Sequence, residues 1–227
     1  MTTEFIDLYC ERTAYGLWNE PLNTLSNLSF PLAALVATVM ISCRGRTDLP
    51  EVVVVALAAL IGIGSALFHM FANHATELMD VIPIWSFVAC YSVLAVYRQT
   101  GQDKRRTFRI AVIGLAIGVG VFWTTSGDAT TGATNKVGAF NGSVQYAPAL
   151  AALVIFAALS MAKGFAGWRW IAVAAGTFAL SLVFRTIDLQ VCAALPIGTH
   201  YLWHLLNGAM VGFLLVALVR HMPPLHR

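Results

Sequence analysis

The segment Gly198 to Gly208 reads GTHYLWHLLNG and sets His200 and His204 four residues apart, at the head of an apolar run that continues to Arg220. On a helix that spacing stacks both imidazoles on one face. Earlier in the chain, GIGSALFHMFANH holds Ser65 and His69 at the same spacing, and LMDVIPIW follows with Asp80. Three neutral imidazoles, His69, His200 and His204, are a ligand set for zinc that leaves the fourth tetrahedral position open to water. Zinc brings the pKa of such a water toward about 7, which suits attack on a carbonyl. Asp80 is the acid at the right level to manage protons, and Ser65 can donate a hydrogen bond to the oxyanion that develops. HYLWH is not the HExxH of soluble zinc proteases, since no Glu follows the first His, and the base has to come from another helix. His74, His221 and His226 read as loop or tail residues without a role in this set.

Such residues need elements to hold them, and composition says which. Only 11% of the 227 residues are charged and the mean hydropathy is +0.73, which excludes an ordinary soluble domain. The chain is read as an all-α integral membrane protein, because about 20 apolar residues at roughly 1.5 Å each cross a hydrocarbon core about 30 Å thick. Seven stretches qualify: Leu25 to Cys43, Glu51 to Met70, Leu78 to Tyr97, Phe108 to Trp123, Val144 to Ala162, Trp168 to Arg185 and Thr199 to Arg220. The Gly/Thr/Ser/Asn-rich stretch from Thr124 to Ser143 reads as a loop. The whole chain, 1–227, forms a single seven-helix domain with an extramembrane segment over 1–24. That segment is acidic and lacks the basic n-region of a cleaved leader, so it is expected to stay on the mature protein.

Lys and Arg report orientation here. Alternate loops and the C-terminal end hold eleven of them (Arg44, Arg46, Arg98, Lys104, Arg105, Arg106, Arg109, Lys163, Arg169, Arg220 and Arg227), against three, Arg12, Lys136 and Arg185, on the other side. The positive-inside rule then puts the N-terminus outside and the C-terminus in the cytoplasm. All the site residues converge on the outer side, and no basic patch with interleaved aromatics points to nucleic acid.

The combination of YCE (Tyr9 to Glu11), EPLNTLSNLSF (Glu20 to Phe30), GIGSALFH followed by Asp80, FRTID (Phe184 to Asp188) and HYLWH resembles the alkaline ceramidases. These belong to a seven-helix superfamily that includes the adiponectin receptors. The resemblance implies a zinc-dependent hydrolase that cleaves the N-acyl bond of ceramide to a fatty acid and a sphingoid base. It implies zinc on His69, His200 and His204, with Ser65 and Asp80 beside the metal. The substrate is then a membrane lipid, ceramide or another N-acyl lipid, and no protein partner is expected. Compact loops suggest a prokaryotic chain in the bacterial inner membrane with its site toward the outer side.

The resemblance also implies a calcium site in the acidic N-terminal segment, with Glu11, Glu20 and Asp7 as ligands; the alternative is a solvated acidic cap. Asp7 stands three residues before Cys10, a departure from the compact acidic run of the animal enzymes. Topology leaves Cys10 and Cys192 outside, where an oxidising compartment would allow a disulfide, and the resemblance supports that bond over two free thiols. Arg185 and Asp188, at i and i+3, read as a structural pair at the outer mouth.

Other readings use the same residues. A receptor or sensor of the superfamily would bind a lipid at the zinc site without hydrolysis, but the short loops and tail offer no signalling module. A haem carrier needs axial ligands from opposing helices, whereas His200 and His204 share a face. A metal transporter binds near the midplane, and these ligands cluster toward one side.

Overall fold

The computed structural model describes residues 6–126 and 140–226, except for the side chains of 118, 119 and 121–126. The described residues are helical and include no strand. A short α1 (Pro21–Ser26) runs into α2 (Ser29–Arg44) to make one continuous apolar stretch. Then come α3 (Leu49–Phe71), α4 (His74–Gln99), α5 (Lys104–Ser126), a 3₁₀ turn (Ser143–Tyr146) with α6 (Ala147–Ala162), α7 (Trp168–Val191), and α8 (His200–Val216) ending in a π turn (Ala217–His221). Six of these are long and apolar enough to cross a membrane: Pro21–Arg44, Leu49–Phe71, His74–Gln99, Ser143–Ala162, Trp168–Val191 and His200–His221. The fourth expected span falls within α5, and the side chains of its second half lie outside the described residues, as does most of the expected loop from Thr124 to Ser143. The first span begins at Pro21 rather than Leu25, and α7 runs past Arg185 to Val191, so Asp188 is helical.

Local chemistry sets the ends. Proline occupies the first turns of α1, α3 and α6, where its missing N–H costs nothing. Asn73 and Thr76 form a reciprocal capping box at the start of α4, Asn73 Oδ1 accepting from Thr76 N at 3.1 Å and Thr76 Oγ1 from Asn73 N at 3.2 Å. Gly45 ends α2 in the left-handed region at φ 68°. Between lipid-facing helices, close packing must replace the hydrophobic drive. Gly64 on α3 supplies it, because a Cβ there would run into the backbone of Met79 and Asp80 on α4. That close approach brings Asp80 level with Ser65. Gly208 does the same for α8 against Ser29 of α2.

At the end of the bundle away from the histidines, a buried ionic network ties α2, α3 and α4 to the end of the chain. Arg98 Nη1 donates to Glu51 Oε1 at 2.6 Å and its Nη2 to Asp48 Oδ2 at 2.9 Å, while Arg44 Nη2 donates to Glu51 Oε2 at 2.5 Å. The same two guanidiniums donate to the Leu218 and Val219 carbonyls, which belong to the π turn. Burial pushes the Asp48 carboxyl up, but the Leu225 N–H and the Arg46 and Arg98 guanidiniums outweigh it and hold it below the usual carboxylate range. Glu51 and Arg98 have side chains with no exposure at all. Glu51→Ala is therefore expected to cost about 3–5 kcal/mol by leaving Arg44 without its carboxylate and the buried Arg98 with Asp48 alone. A melting curve in detergent checks it, and a variant that melts with the wild type would refute the assignment.

Candidate metal centre

The last turns of α3 carry Ser65 and His69, and the first turns of α8 carry His200 and His204. All three imidazoles are buried, at 1%, 1% and 2% exposure for His69, His200 and His204. One ligand atom from each lies within 4.8 Å of the others, the only such His, Cys, Asp or Glu group among the described residues.

Each ring is held by a different device. His69 Nδ1 meets Glu20 Oε2 at 2.5 Å, and Glu20 Oε2 also accepts from Asn23 Nδ2 at 2.9 Å. His204 Nδ1 meets Ser26 Oγ at 2.9 Å. With the Ser26 hydroxyl donating to the Asn23 carbonyl at 2.9 Å, His204 Nδ1 is placed to donate to Ser26 Oγ, and Asn27 Nδ2 stands 3.4 Å from the same ring nitrogen. A carboxylate on His69 Nδ1 fixes the same tautomer there. With both Nδ1 atoms turned to these partners, the two Nε2 atoms face each other at 3.2 Å. His200 is clamped differently. The Tyr9 ring stacks on it at 3.7 Å with 19° between planes, and its Nδ1 is buried with no hydrogen-bond partner. Three buried imidazoles with ligand atoms this close, two of them oriented through their outer nitrogens, are a set that a first-row divalent cation could complete.

The N-terminal segment closes over this end of the bundle. Ile6 N donates to Ala72 O at 2.8 Å. The Arg12 guanidinium is buried, pairs with Glu20 through Nε, and reaches the His69 carbonyl at 2.7 Å. Glu11 accepts from the Leu22 and Asn23 N–H groups at 2.7 and 2.8 Å, which satisfies the opening turn of α1. Cys10 and Cys192 form a disulfide with Cα atoms 5.3 Å apart. Burial pushes the Tyr9 phenol up to about 12, against the pull of the Arg185 guanidinium, so its proton stays on at any working pH.

Two expectations need correction. The acidic residues read as calcium ligands do not gather as a ligand set. Asp7 is exposed, both oxygens of Glu11 are spent on N–H groups, and Glu20 is committed to Arg12, Asn23 and His69. A guanidinium already supplies positive charge at the centre of the segment, so these residues do not fit calcium. Nor do Arg185 and Asp188 pair with one another. Asp188 Oδ1 accepts from the Thr199 and His200 N–H groups at 2.7 and 3.0 Å, and its Oδ2 from Cys10 N at 3.1 Å. It caps α8 from a neighbouring helix, while Arg185 turns toward aromatic rings. Spacing at i, i+3 says that two residues share a face, not that they choose each other.

Asp80 and Ser65 lie next to the imidazoles. Ser65 is buried, and the Asp80 carboxyl is within electrostatic reach of His69 and Arg185 and within hydrogen-bond reach of Ser65. Asp80 Oδ1 is buried with no partner among the described residues. Sequence reasoning missed Tyr9, Arg12 and Ser26 as parts of this site. The spacing of Asn23 and Ser26 in a turn begun by Pro21 was the available signal, since it points both side chains along one face.

A family model described as Ceramidase matches residues 8–223. The chain belongs to the ceramidase family. No curated protein matches it. In a ceramidase-family chain the match runs from the residue before Tyr9 to beyond the π turn, so it takes in the N-terminal segment, the three histidines and Asp80 together. Family membership carries a ceramidase-type hydrolase acting on a lipid in a membrane, in agreement with the apolar helices.

Proposed function

We propose that this chain is a zinc-dependent membrane amide hydrolase, which cleaves the N-acyl bond of ceramide or a related N-acyl lipid to a fatty acid and an amine. The observation that carries the reading is the pair of facing Nε2 atoms of His69 and His204, with their Nδ1 atoms turned to Glu20 and Ser26 and a ligand atom of the buried His200 within 4.8 Å of the other two rings. His69, His200 and His204 would hold the ion. Zinc, when bound, supplies a Lewis acid that polarises the acyl carbonyl and acidifies water.

The chain's own residues do the rest. Asp80 takes a proton from the attacking water as its oxygen adds to the acyl carbon. The Ser65 hydroxyl donates to the carbonyl oxygen while negative charge grows on it. Asp80 then delivers the proton to the amide nitrogen as the C–N bond breaks, leaving a carboxylic acid and an amine. The distribution of basic residues supports a site on the outer side of the membrane, one or two turns below the headgroups, where the amide of a lipid resides.

Metal removal tests the reading directly. Chelation of the purified protein in ceramide mixed micelles is expected to stop fatty-acid release, and stoichiometric zinc to restore it while calcium does not. Full release from protein stripped of zinc would sink the proposal.

A further inference from the structure

Among the described residues, Arg185 is the one intramembrane cation at the histidine end of the bundle that no carboxylate pairs. Its exposure is 8%, and its guanidinium carbon stands 5.9, 5.4 and 5.3 Å from the ring centroids of Tyr9, Tyr146 and Trp203. Nη1 makes a long hydrogen bond to the Tyr9 hydroxyl at 3.4 Å, and Nε is buried without an acceptor. The other buried arginines are treated differently: Arg12 has Glu20, and Arg98 has Glu51 and Asp48. The nearby acids do not answer Arg185. Asp188 spends both oxygens on N–H groups, and Asp80 acts on Arg185 only through space, without an ion pair.

Three aromatic faces hold a cation in place, but apart from the long bond to the Tyr9 hydroxyl no acceptor among the described residues takes one of its five N–H groups. A planar fork with free donors in a low-dielectric site is the geometry that takes a carboxylate in two parallel hydrogen bonds. The location decides what brings that carboxylate. Tyr9 touches Arg185 with its hydroxyl and His200 with its ring face, so the guanidinium is one aromatic ring away from the imidazoles.

We propose that Arg185 anchors a carboxylate carried by the lipid next to its amide carbonyl, so that the site accepts acidic N-acyl amino-acid lipids in addition to neutral ceramide. This rests on the hydrolase reading. The reaction is unchanged: water adds to the acyl carbon, the C–N bond breaks, and the proton ends on the amine of the amino acid. A released fatty acid presents the same chemical group, and the test separates the two sources.

The experiment is equilibrium binding, in detergent micelles, of N-palmitoylglycine, its methyl ester and palmitate to zinc-loaded wild type, Arg185→Gln and Arg185→Lys. The wild type is expected to bind the acid about tenfold or more tighter than the ester, with the preference gone in Arg185→Gln and partly kept in Arg185→Lys. Weakening of palmitate alone in Arg185→Gln assigns the anchor to the product; weakening of N-palmitoylglycine assigns it to the substrate. Equal binding of acid and ester by wild type, together with palmitate binding that is the same in all three proteins, overturns the proposal. Should Arg185→Gln fail to fold, the wild-type comparison and Arg185→Lys decide. A preference for the acid in a protein that cleaves no amide, ceramide included, would leave the anchor standing and reject the hydrolase.

Discussion

His204→Ala is expected to lose its zinc on dialysis and to release fatty acid from ceramide at the rate of the buffer blank, while still melting as a folded helical protein. The reasoning is that His204 supplies one of only three imidazoles, and that its remaining bond, to Ser26, costs no more than an ordinary core truncation when lost, about 1–3 kcal/mol. Ser26→Ala tests the same ring from behind. It keeps the ligand but removes the acceptor that fixes its tautomer, and the expected loss in zinc affinity is about 10–100-fold. Zinc content by mass, a chelator competition and fatty-acid release, taken on one preparation, separate the outcomes. A folded His204→Ala protein with full turnover would end the metal reading.

Glu20→Ala is expected to be the most damaging single change outside the histidines, because one carboxylate serves three buried cationic or polar partners, Arg12, Asn23 and His69. It leaves the buried Arg12 guanidinium unpaired, at about 3–5 kcal/mol. It also frees His69 Nδ1, with a further loss of zinc affinity of about 10–100-fold. Glu20→Gln keeps the shape and an acceptor for Arg12, so it should recover stability before it recovers zinc affinity. The same pair of variants bears on calcium. If the acidic segment held that ion, added calcium would raise the melting temperature of wild type and not of Glu20→Ala. With Arg12 in place, no calcium-dependent shift is expected in either, and a shift in wild type would show that the guanidinium had been misassigned.

Much of this architecture is legible in the chain because its determinants are local. Apolar runs long enough to span and histidines at i, i+4 need only periodicity to be seen. His69 and Asp80 could be set at one level because adjacent antiparallel spans share an end. What escaped is non-local. Glu20 was read as an ion ligand and is a buried hydrogen-bond acceptor for His69, 49 residues on. Asp188 was read with its helical neighbour and instead caps the next helix and takes the N–H of Cys10, 178 residues away. Irregular segments of turns and bends such as 6–20 have no period to betray which face they present, and their polar groups find partners only once the bundle exists. The acidic character of the segment was visible; the cation that answers it, Arg12, was visible too, but not as its partner.

The centre draws Glu20, Ser26 and Tyr9 from the first tenth or so of the chain and two of its three imidazoles from the last helix. During synthesis the early half therefore carries only one, His69, of the three imidazoles in the candidate set. At the proposed zinc site, loading would follow the synthesis of the last helix, and the Cys10–Cys192 disulfide would close after it begins. A chain cut short anywhere before α8 would lack two of the three imidazoles that the proposed zinc site needs, and with them the hydrolytic chemistry that zinc would supply.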